Sequence, residues 1–296
     1  MIDVIKALFL GIVQGLSEFF PVSSSGHLAL FAQLLNIKMA DELLFSICLH
    51  IGTLAAVVLV FRKDLFRMLA AAVGMYRDII HNLSIYLHNT GSPEKAHYRR
   101  ILSTNYRQLT AMILLSCIPT GIMGFLLEGA AQKASSSLLM PGMFFFMTGI
   151  ILLVVDKVAD RNLTPKEVPM KNALLIGLAQ GAAVMPGLSR SGMTICASLL
   201  CGMSRKLAVR YSFILSVPTM IGALIFECGV GYGGEGQSLM SLMYGLIGAL
   251  SAGIISYFTI RKMLQIVRKK QLYYFSYYCF AIGIVTVIGY FYLNKG

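Results

Sequence analysis

Charged residues are scarce in this chain: they make up 13% of its 296 residues, whereas 57% are hydrophobic. Soluble domains usually carry about 25% charged and 45–50% apolar residues, so a soluble globular protein is a poor interpretation. Only 8 prolines are present, and the 28 glycines show no three-residue period. These features exclude a disordered or collagen-like chain. The composition is instead typical of a protein that is embedded in a membrane.

The chain also lacks paired cysteines. Its six cysteines lie in apolar stretches, and none forms a C-x-x-C pair. We therefore expect small packed residues, with no disulfide framework and no cysteine metal site. They are Cys48, Cys117, Cys196, Cys201, Cys228 and Cys279.

Long apolar stretches are the main positive feature. A helix needs about 20 apolar residues to cross a bilayer core of about 30 Å. Two regions, Val4–Leu35 and Asn172–Met203, are interrupted by Gly, Pro, Ser and ionisable residues, so that neither half can span alone. Non-helical backbone is tolerated at membrane depth only where protein buries it or a cavity adjoins it. Six further stretches qualify as spans: Leu43–Phe61, Leu109–Leu127, Leu138–Val155, Leu207–Val230, Ser238–Ile260 and Leu272–Leu293.

The predicted fold is thus an all-α polytopic membrane protein with six transmembrane helices and two re-entrant helical hairpins. We expect one integral membrane domain over residues 1–296. Residues 64–106 form a polar insertion on the cytoplasmic side, and their spacing predicts an amphipathic helix around Leu65–Tyr86 that lies at the membrane interface. The histidines of this insertion, His81, His88 and His97, are expected to be solvated.

The few charges are mostly basic, with 25 Lys and Arg against 13 Asp and Glu and a net charge of +12. On a soluble protein this excess would suggest nucleic acid. If both hairpins return to the side from which they came, 20 of the cations fall on one side of the membrane. The other side receives four, and Arg190 lies within a hairpin. The positive-inside rule then places both termini outside, and we expect no nucleic-acid partner. The four outer cations are Lys6, Lys38, Lys133 and Lys295.

The two interrupted regions resemble each other at a constant offset of 166 residues. Each is followed by three spans, and because three is odd, the second copy enters from the opposite face. This pattern predicts inverted-topology repeats over residues 1–155 and 172–296, with a site at their interface. At that offset Gly11, Gln14, Gly15, Ser23, Ser25 and Gly26 meet Gly177, Gln180, Gly181, Ser189, Ser191 and Gly192.

The differences between the two copies suggest chemistry. The first copy has Glu18 and His27 where the second has Val184 and Met193, and the second has Arg190 where the first has Ser24. Ionisable residues within the membrane are costly and are functional candidates by default.

The second block predicts an oxyanion or phosphate cradle. A guanidinium can form two hydrogen bonds to a phosphate, and serine hydroxyls with backbone N–H groups add an anion nest. A helix N-terminus after Gly192 would add partial positive charge. A structural alternative is an ion pair between Arg190 and Glu18, and both roles can hold. The candidate phosphate-binding residues here are Ser189, Ser191 and Gly192, with Arg190 as the catalytic cation.

The first block supplies the other candidates. His27 can move a proton or attack phosphorus. Glu18 shares a helix face with Gln14, and that face could orient His27 or hold a cation through its oxygen atoms. Ser24 is the expected nucleophile with His27 as its base, while direct attack by His27 or by water stays open. Ser23, Ser25, Gly26 and Gln14 are further candidate substrate-binding residues.

These two blocks resemble the signature motifs of the undecaprenyl pyrophosphate phosphatase family, membrane enzymes linked to bacitracin resistance. The motifs run from Gly11 to His27 and from Pro186 to Gly192, and the similarity extends over Arg210–Pro218. The resemblance implies hydrolysis of the C55 polyprenyl diphosphate carrier lipid to its monophosphate, which recycles the carrier for cell-wall synthesis. It also implies functional roles for Glu18, Ser24, His27 and Arg190.

The resemblance further implies a bacterial inner membrane location, a pocket open to the outer face and dependence on a divalent cation, Mg²⁺ or Ca²⁺. Bacitracin would compete for the same lipid. Family members have Glu or Gln at the position of Gln14, so one carboxylate, Glu18, is left here to bind metal. A cation bridged by the substrate's own diphosphate is therefore the favoured arrangement. A flippase or transporter of polyprenyl phosphates is the alternative function, and a homo-oligomer stays open.

Overall fold

The computed structural model describes residues 3–35, 39–91, 95–158, 162–231 and 239–293. Within these ranges the regular elements are helices, apart from one isolated β-bridge between Leu163 and Met203. Six of the helices are long and apolar enough to cross a membrane. The predicted all-helical, multi-pass membrane architecture is thereby confirmed. The helices are α1 (Val4–Ser17), α2 (Ser24–Leu34), α3 (Met39–Gly91), α4 (Asn105–Ser135), α5 (Leu139–Asp156), α6 (Lys171–Ala182), α7 (Arg190–Leu200), α8 (Arg205–Gly231), α9 (Leu239–Ile266) and α10 (Leu272–Leu293).

Helix α3 corrects one expectation. A span ending at Phe61 and a separate interfacial helix around Leu65–Tyr86 were predicted, but α3 is one continuous helix of 53 residues. Its length of about 80 Å, at 1.5 Å per residue, far exceeds a bilayer core of about 30 Å. The helix continues because residues 62–66 contain neither glycine nor proline. Residues 62–91 are called the α3 extension below.

Four short helices form two pairs. Helices α1, α2, α6 and α7 have 14, 11, 12 and 11 residues, which is too short for any of them to span a bilayer core of about 30 Å. In the first pair, Lys6 Nζ donates a 3.1 Å hydrogen bond to the carbonyl oxygen of Leu35. In the second, Asn172 Nδ2 donates to the carbonyl oxygen of Cys201 at 3.4 Å. The beginning and the end of each pair therefore lie together.

Each pair packs against a long helix through glycine. Helix α1 lies on α9 and helix α6 lies on α4, whereas α5 packs on α10 and α3 on α9. A Cβ atom on Gly11 would lie 2.6 Å from the carbonyl oxygen of Gly248. A Cβ atom on Gly177 would lie 2.2 Å from that of Ser116. Only glycine allows the backbones to approach so closely.

Ion pairs and hydrogen bonds join several of the long helices. Asp64 of α3 pairs with Arg210 of α8 and accepts a 3.0 Å hydrogen bond from the hydroxyl of Tyr106 in α4. Asp156 at the end of α5 pairs with Arg205 at the start of α8, at 2.9 Å. The six cysteines are free, two of them buried and four half-buried.

Candidate active site

The two polar blocks both form tight turns that begin a helix. Ser23 is the N-cap of α2, and its hydroxyl accepts the N–H of Gly26 at 3.3 Å. Ser189 is the N-cap of α7 and accepts the N–H of Gly192 at 3.0 Å. Serine caps a helix well because its hydroxyl satisfies a free N–H of the first turn. Helix α7 begins at Arg190 rather than after Gly192, so the expected start was three residues late.

Ser23 adopts a strained backbone conformation with φ 66° and ψ 97°. Residues other than glycine persist in this region only where surrounding contacts fix them. The carbonyl oxygen of Ser23 accepts hydrogen bonds from the backbone and ring of His27, and its hydroxyl accepts the N–H of Gly187 at 3.1 Å. The strain thus coincides with the junction of the two blocks, as is common at functional sites.

Further contacts hold the two blocks together. The hydroxyl of Ser191 donates to the carbonyl oxygen of Phe20 at 3.1 Å. Gly26 faces Gly187, and a Cβ on Gly26 would lie 3.0 Å from the Gly187 Cα. Blocks more than 160 residues apart in sequence therefore form one site.

Glu18 lies at the centre of this junction. Its Oε2 accepts hydrogen bonds from Ser24 Oγ at 2.6 Å and from Gln14 Nε2 at 3.1 Å. Its Oε1 accepts Arg190 Nη2 at 2.8 Å. Glu18 is 6% exposed, and burial of a carboxylate is tolerated only when it is paired and hydrogen-bonded. The ion pair between Arg190 and Glu18 that was considered from sequence is present.

Two buried polar atoms beside Glu18 have no hydrogen-bond partner among the described residues: Gln14 Oε1 and Arg190 Nη1. Buried polar groups are nearly always satisfied, so an exception calls for an explanation such as a bound ligand. Nη1 can donate to an anion, and Oε1 can accept from a donor or bind a cation. The guanidinium therefore has donor capacity that the ion pair with Glu18 leaves unused.

His27 lies against a different set of groups. Its Nδ1 and Nε2 are each 2.7 Å from an oxygen atom, the carbonyl of Ser23 and the hydroxyl of Tyr278 respectively. Because a carbonyl can only accept, Nδ1 carries the proton and, in the neutral ring, Nε2 accepts from Tyr278. The ring also meets the edge of Phe145, with centroids 5.1 Å apart.

The structure does not bring His27 and Ser24 together in the expected way. Both ring nitrogens of His27 have other partners, and the hydroxyl of Ser24 donates to Glu18 instead. The hydrogen-bond partner of the Ser24 hydroxyl is thus Glu18 and not His27. The expected pairing followed from sequence proximity, which gave no information on where Tyr278 lies.

The remaining serine candidates differ in what they offer. Ser189 and Ser191 are buried, and their hydroxyls lie 3.3 Å from each other. Ser25 is exposed at the surface of the first turn, with its hydroxyl 3.3 Å from that of Ser23. The buried serines shape the turns, whereas Ser25 is accessible to a ligand.

Two residues of the site could not be found from sequence. Tyr278 lies in a tyrosine-rich helix, and Thr148 lies in an otherwise apolar one. The hydroxyl of Thr148 donates to the Gly187 carbonyl at 2.9 Å and accepts the N–H of Ser189 at 3.2 Å. Thr148 therefore holds the second turn against α5. Neither Tyr278 nor Thr148 lies in a sequence motif that would have indicated its role.

Comparison with known proteins supplies the family. The family model described as bacitracin resistance protein BacA matches residues 7–285. The chain belongs to the BacA family.

Relatives that share 36–38% of their residues with this chain are named undecaprenyl-diphosphatase. The protein of Halothermothrix orenii is 38% identical over 288 residues, 97% of this chain and 98% of the relative. The protein of Methanosphaera stadtmanae is 36% identical over 289 residues, covering 97% and 98% of the two chains. That of Alkaliphilus metalliredigens is 36% identical over 287 residues, covering 96% and 97%.

The resemblance to undecaprenyl pyrophosphate phosphatases implies a divalent cation. Whether the site can hold one depends on the oxygen atoms that it offers as ligands. Among the described residues no cluster of three or more His, Cys, Asp or Glu side chains could hold a metal ion. The oxygen atoms available are those of Glu18, already paired, and the free Oε1 of Gln14. Mg²⁺ and Ca²⁺ take about six or more oxygen ligands. These residues fit a cation that substrate and water complete, and they do not fit one held by protein alone.

Proposed function

We propose that this BacA-family chain is an undecaprenyl-diphosphate phosphatase. It hydrolyses the C55 polyprenyl diphosphate to the monophosphate and inorganic phosphate and so returns the carrier lipid to cell-wall synthesis. The observation that carries the proposal is the pairing of one buried carboxylate, Glu18, with both a hydroxyl and a guanidinium. The names of the three relatives support the same activity, and none of the three names describes a transporter.

Arg190 binds the terminal phosphoryl group in this proposal. Its Nη1 has no partner among the described residues, so it can donate to a phosphoryl oxygen without breaking a protein contact. The N–H groups at the start of α7 add partial positive charge. Charge that develops on the phosphoryl oxygens is thereby stabilised by donors already in position.

Ser24 is the nucleophile, and Glu18 is its base. The Oγ of Ser24 attacks the terminal phosphorus, its proton passes to Glu18 Oε2 over 2.6 Å, and the bond from phosphorus to the bridging oxygen breaks. Polyprenyl monophosphate leaves. Because Nη1 takes the phosphoryl oxygen, Nη2 keeps its contact with Glu18 and holds the carboxylate at hydrogen-bond distance from Ser24.

His27 serves the second step. A water molecule attacks the phosphoserine, its proton passes to His27 Nε2, and Ser24 Oγ recovers a proton from Glu18 as inorganic phosphate leaves. The Nδ1–H bond to the Ser23 carbonyl supports this role because it leaves Nε2 as the basic nitrogen. The hydroxyl of Tyr278 must move aside or relay the proton.

A divalent cation, Mg²⁺ or Ca²⁺, would be held by the side-chain oxygen atoms of Gln14 and Glu18. When bound, it would neutralise charge on the diphosphate. Chelation should lower phosphate release by the wild type. Gln14→Glu adds a carboxylate, so this variant should reach full activity at a lower cation concentration than the wild type. An activity that chelator leaves unchanged in both proteins would contradict a cation held by these two residues.

The fold is proposed to contain two re-entrant hairpins and two inverted repeats. The contact from Lys6 to Leu35 in the first pair and that from Asn172 to Cys201 in the second join positions related by the same offset of 166. The N–H of Leu163, before α6, also donates to the carbonyl of Gly202, after α7, at 3.1 Å. Such closure supports hairpins that return to their starting side.

The protein is proposed to lie in the bacterial inner membrane, with both termini and the active-site opening on the outer side. The 20:4 division of cations supports this orientation. The contacts of Asp64 with Arg210 and of Asp156 with Arg205 support one common side for three of the four cation-rich segments. Protease added to intact spheroplasts should remove a tag from either terminus. Tags that are cut only after lysis would reverse the orientation.

The activity is tested by phosphate release from undecaprenyl diphosphate in detergent, where transport cannot be scored. The purified protein should release inorganic phosphate and form the monophosphate. Bacitracin is expected to compete for the lipid and to suppress release in proportion to the substrate that it sequesters. Intact diphosphate after prolonged incubation with folded protein and Mg²⁺ or Ca²⁺ would contradict the proposed function.

A further inference from the structure

The α3 extension has an apolar surface that no part of the described chain covers. Successive members of this surface are one, three or four residues apart, so they share one broad side of the helix. Their exposed fractions range from 44% to 72%. The residues are Phe66, Leu69, Val73, Tyr76, Ile79, Ile80, Leu83, Tyr86 and Leu87, and they are called the apolar arc. A patch of nine exposed apolar side chains outside a span calls for cover by another protein surface or by a membrane.

The side of the extension that adjoins the apolar arc is already packed. Met68 and Met75 are 7% and 8% exposed. The side chain of Asn82 accepts the N–H of Arg99 at 2.7 Å. The protein thus covers one face of the extension with the segment that leads into α4 and leaves the apolar arc bare.

A cleft links the extension to the lipid-facing side of α4. It has a volume of about 690 Å³ and lies between Met75 and Ile79 of the extension and Leu114 and Ile118 of α4. Leu114 and Ile118 are 56% and 57% exposed within a candidate span, so they face the hydrocarbon. The extension therefore overhangs the lipid-facing surface of α4, and the cleft opens to the bilayer.

The charges around this overhang are positive. Of the described residues that line the cleft, Arg99 alone is charged. The two acidic residues of the extension already pair with arginines: Asp64 with Arg210, and Asp78 with Arg107 and, at 3.5 Å, with Arg99. The side chain of Arg99 is nevertheless 59% exposed, so it remains accessible to a headgroup. Arg62, Lys63 and Arg77 are exposed on the same stretch. Such a surface attracts anionic headgroups.

We propose that the α3 extension lies on the leaflet next to it, which we assign to the cytoplasmic side, and that the cleft binds an anionic phospholipid. An acyl chain fills the space between Ile79 and Leu114, and the headgroup meets Arg99. This site is separate from the catalytic centre at Glu18.

A second copy of the chain is the competing occupant. Seven members of the apolar arc, from Phe66 to Leu87, alternate by three and four residues as in a coiled coil. However, Ile79 and Tyr86 lie outside that seam and are 51% and 56% exposed. The arc is thus broader than a two-stranded seam, and the cleft connects it to the lipid side of α4. A lipid surface covers both features, whereas a coiled-coil partner covers only the seam.

Tryptophan fluorescence tests where the apolar arc lies, because the chain has no tryptophan. We compare Leu83→Trp in the arc with His81→Trp, which is exposed on another face, in vesicles that contain phosphatidylglycerol. Leu83→Trp should be quenched several-fold more by brominated acyl chains, and His81→Trp more by aqueous iodide. Equal iodide quenching in both variants would overturn the proposal. So would a dimeric Leu83→Trp protein whose fluorescence neither iodide nor brominated acyl chains quench.

Lipid retention tests the cleft. Native mass spectrometry of detergent-purified protein should show bound phosphatidylglycerol on the wild type. Ala111→Phe fills the cleft and should lose it, whereas Ile122→Phe, exposed on α4 outside the cleft, should retain it. Arg99→Gln should weaken the preference for phosphatidylglycerol over phosphatidylcholine about fivefold, the effect of one cation at a membrane surface. Equal retention in Ala111→Phe and wild type would overturn the site.

Discussion

The hydroxyl of Ser24 donates a 2.6 Å hydrogen bond to Glu18, and the other oxygen of the same carboxylate accepts Arg190 at 2.8 Å. The carboxylate thereby joins the proposed nucleophile, Ser24 of the first polar block, to the proposed phosphate-binding cation, Arg190 of the second. Because the carboxylate is buried, both contacts act with little screening by water. In the proposed mechanism, a phosphate bound by Arg190 therefore lies close to the carboxylate that takes the proton of Ser24.

Replacement of Glu18 by glutamine should lower kcat for phosphate release by about 10²–10⁴-fold, the range for loss of a general base. The amide keeps the shape but cannot take a proton from Ser24. Glu128→Gln, a carboxylate of α4 that contacts Gln132 rather than the site, is the matched control and should keep wild-type turnover. Similar kcat values for the two variants would argue against a base at Glu18.

Arg190→Lys should lower kcat by about 10²–10³-fold and should not be rescued by more substrate. Lysine keeps the charge but cannot hold Glu18 and a phosphoryl oxygen with separate N–H groups. Arg261→Lys alters an exposed arginine that contacts only Tyr257 among the described residues, so its kinetics should be unchanged. The comparison is made with steady-state phosphate release. A full recovery of rate at high substrate would show that Arg190 contributes binding alone.

Tyr278→Phe should lower turnover by no more than about tenfold, because one neutral hydrogen bond contributes about 0.5–1.5 kcal/mol. The bond from Nδ1 to Ser23 still orients the ring of His27. His27→Ala should abolish turnover while the protein stays folded, which thermal unfolding in detergent will check. If Tyr278→Phe were as inactive as His27→Ala, the tyrosine hydroxyl would itself take part in proton transfer.

Gly177→Ala should destabilise the protein by about 1–3 kcal/mol, the usual cost of overpacking. The added methyl group would lie 2.2 Å from the carbonyl oxygen of Ser116, so α6 and α4 would have to separate. Gly222→Ala is the control, since a Cβ there has no neighbour within 4 Å among the described residues. Thermal unfolding of both purified variants measures the difference. Equal midpoints would contradict close packing of α6 on α4.

Much of the fold could be predicted because each step depends on local pattern. Apolar length located the six spans, and interruption by polar residues located the pairs of short helices. The end of the first span was not predictable in this way. The charges of Arg62, Lys63 and Asp64 favour departure from the membrane, but they do not break a helix, so α3 continues to Gly91.

The site was predictable only to the level of its motifs. The offset between the two blocks indicated that Ser23 and Ser189 would occupy equivalent positions, and both cap helices. The partner of Ser24 could not be derived, because it depends on how α1 approaches α2. Tyr278 reaches His27 from a helix 251 residues away in sequence, and no local pattern encodes that contact.

The most direct test of the account is phosphate release from undecaprenyl diphosphate by purified wild type and Ser24→Ala, measured side by side in detergent. We predict steady release by the wild type and none above background by Ser24→Ala, with equal thermal stability of the two proteins. Ser136→Ala, at the exposed end of α4, should match the wild type. Wild-type rates in Ser24→Ala would contradict the assignment of the nucleophile.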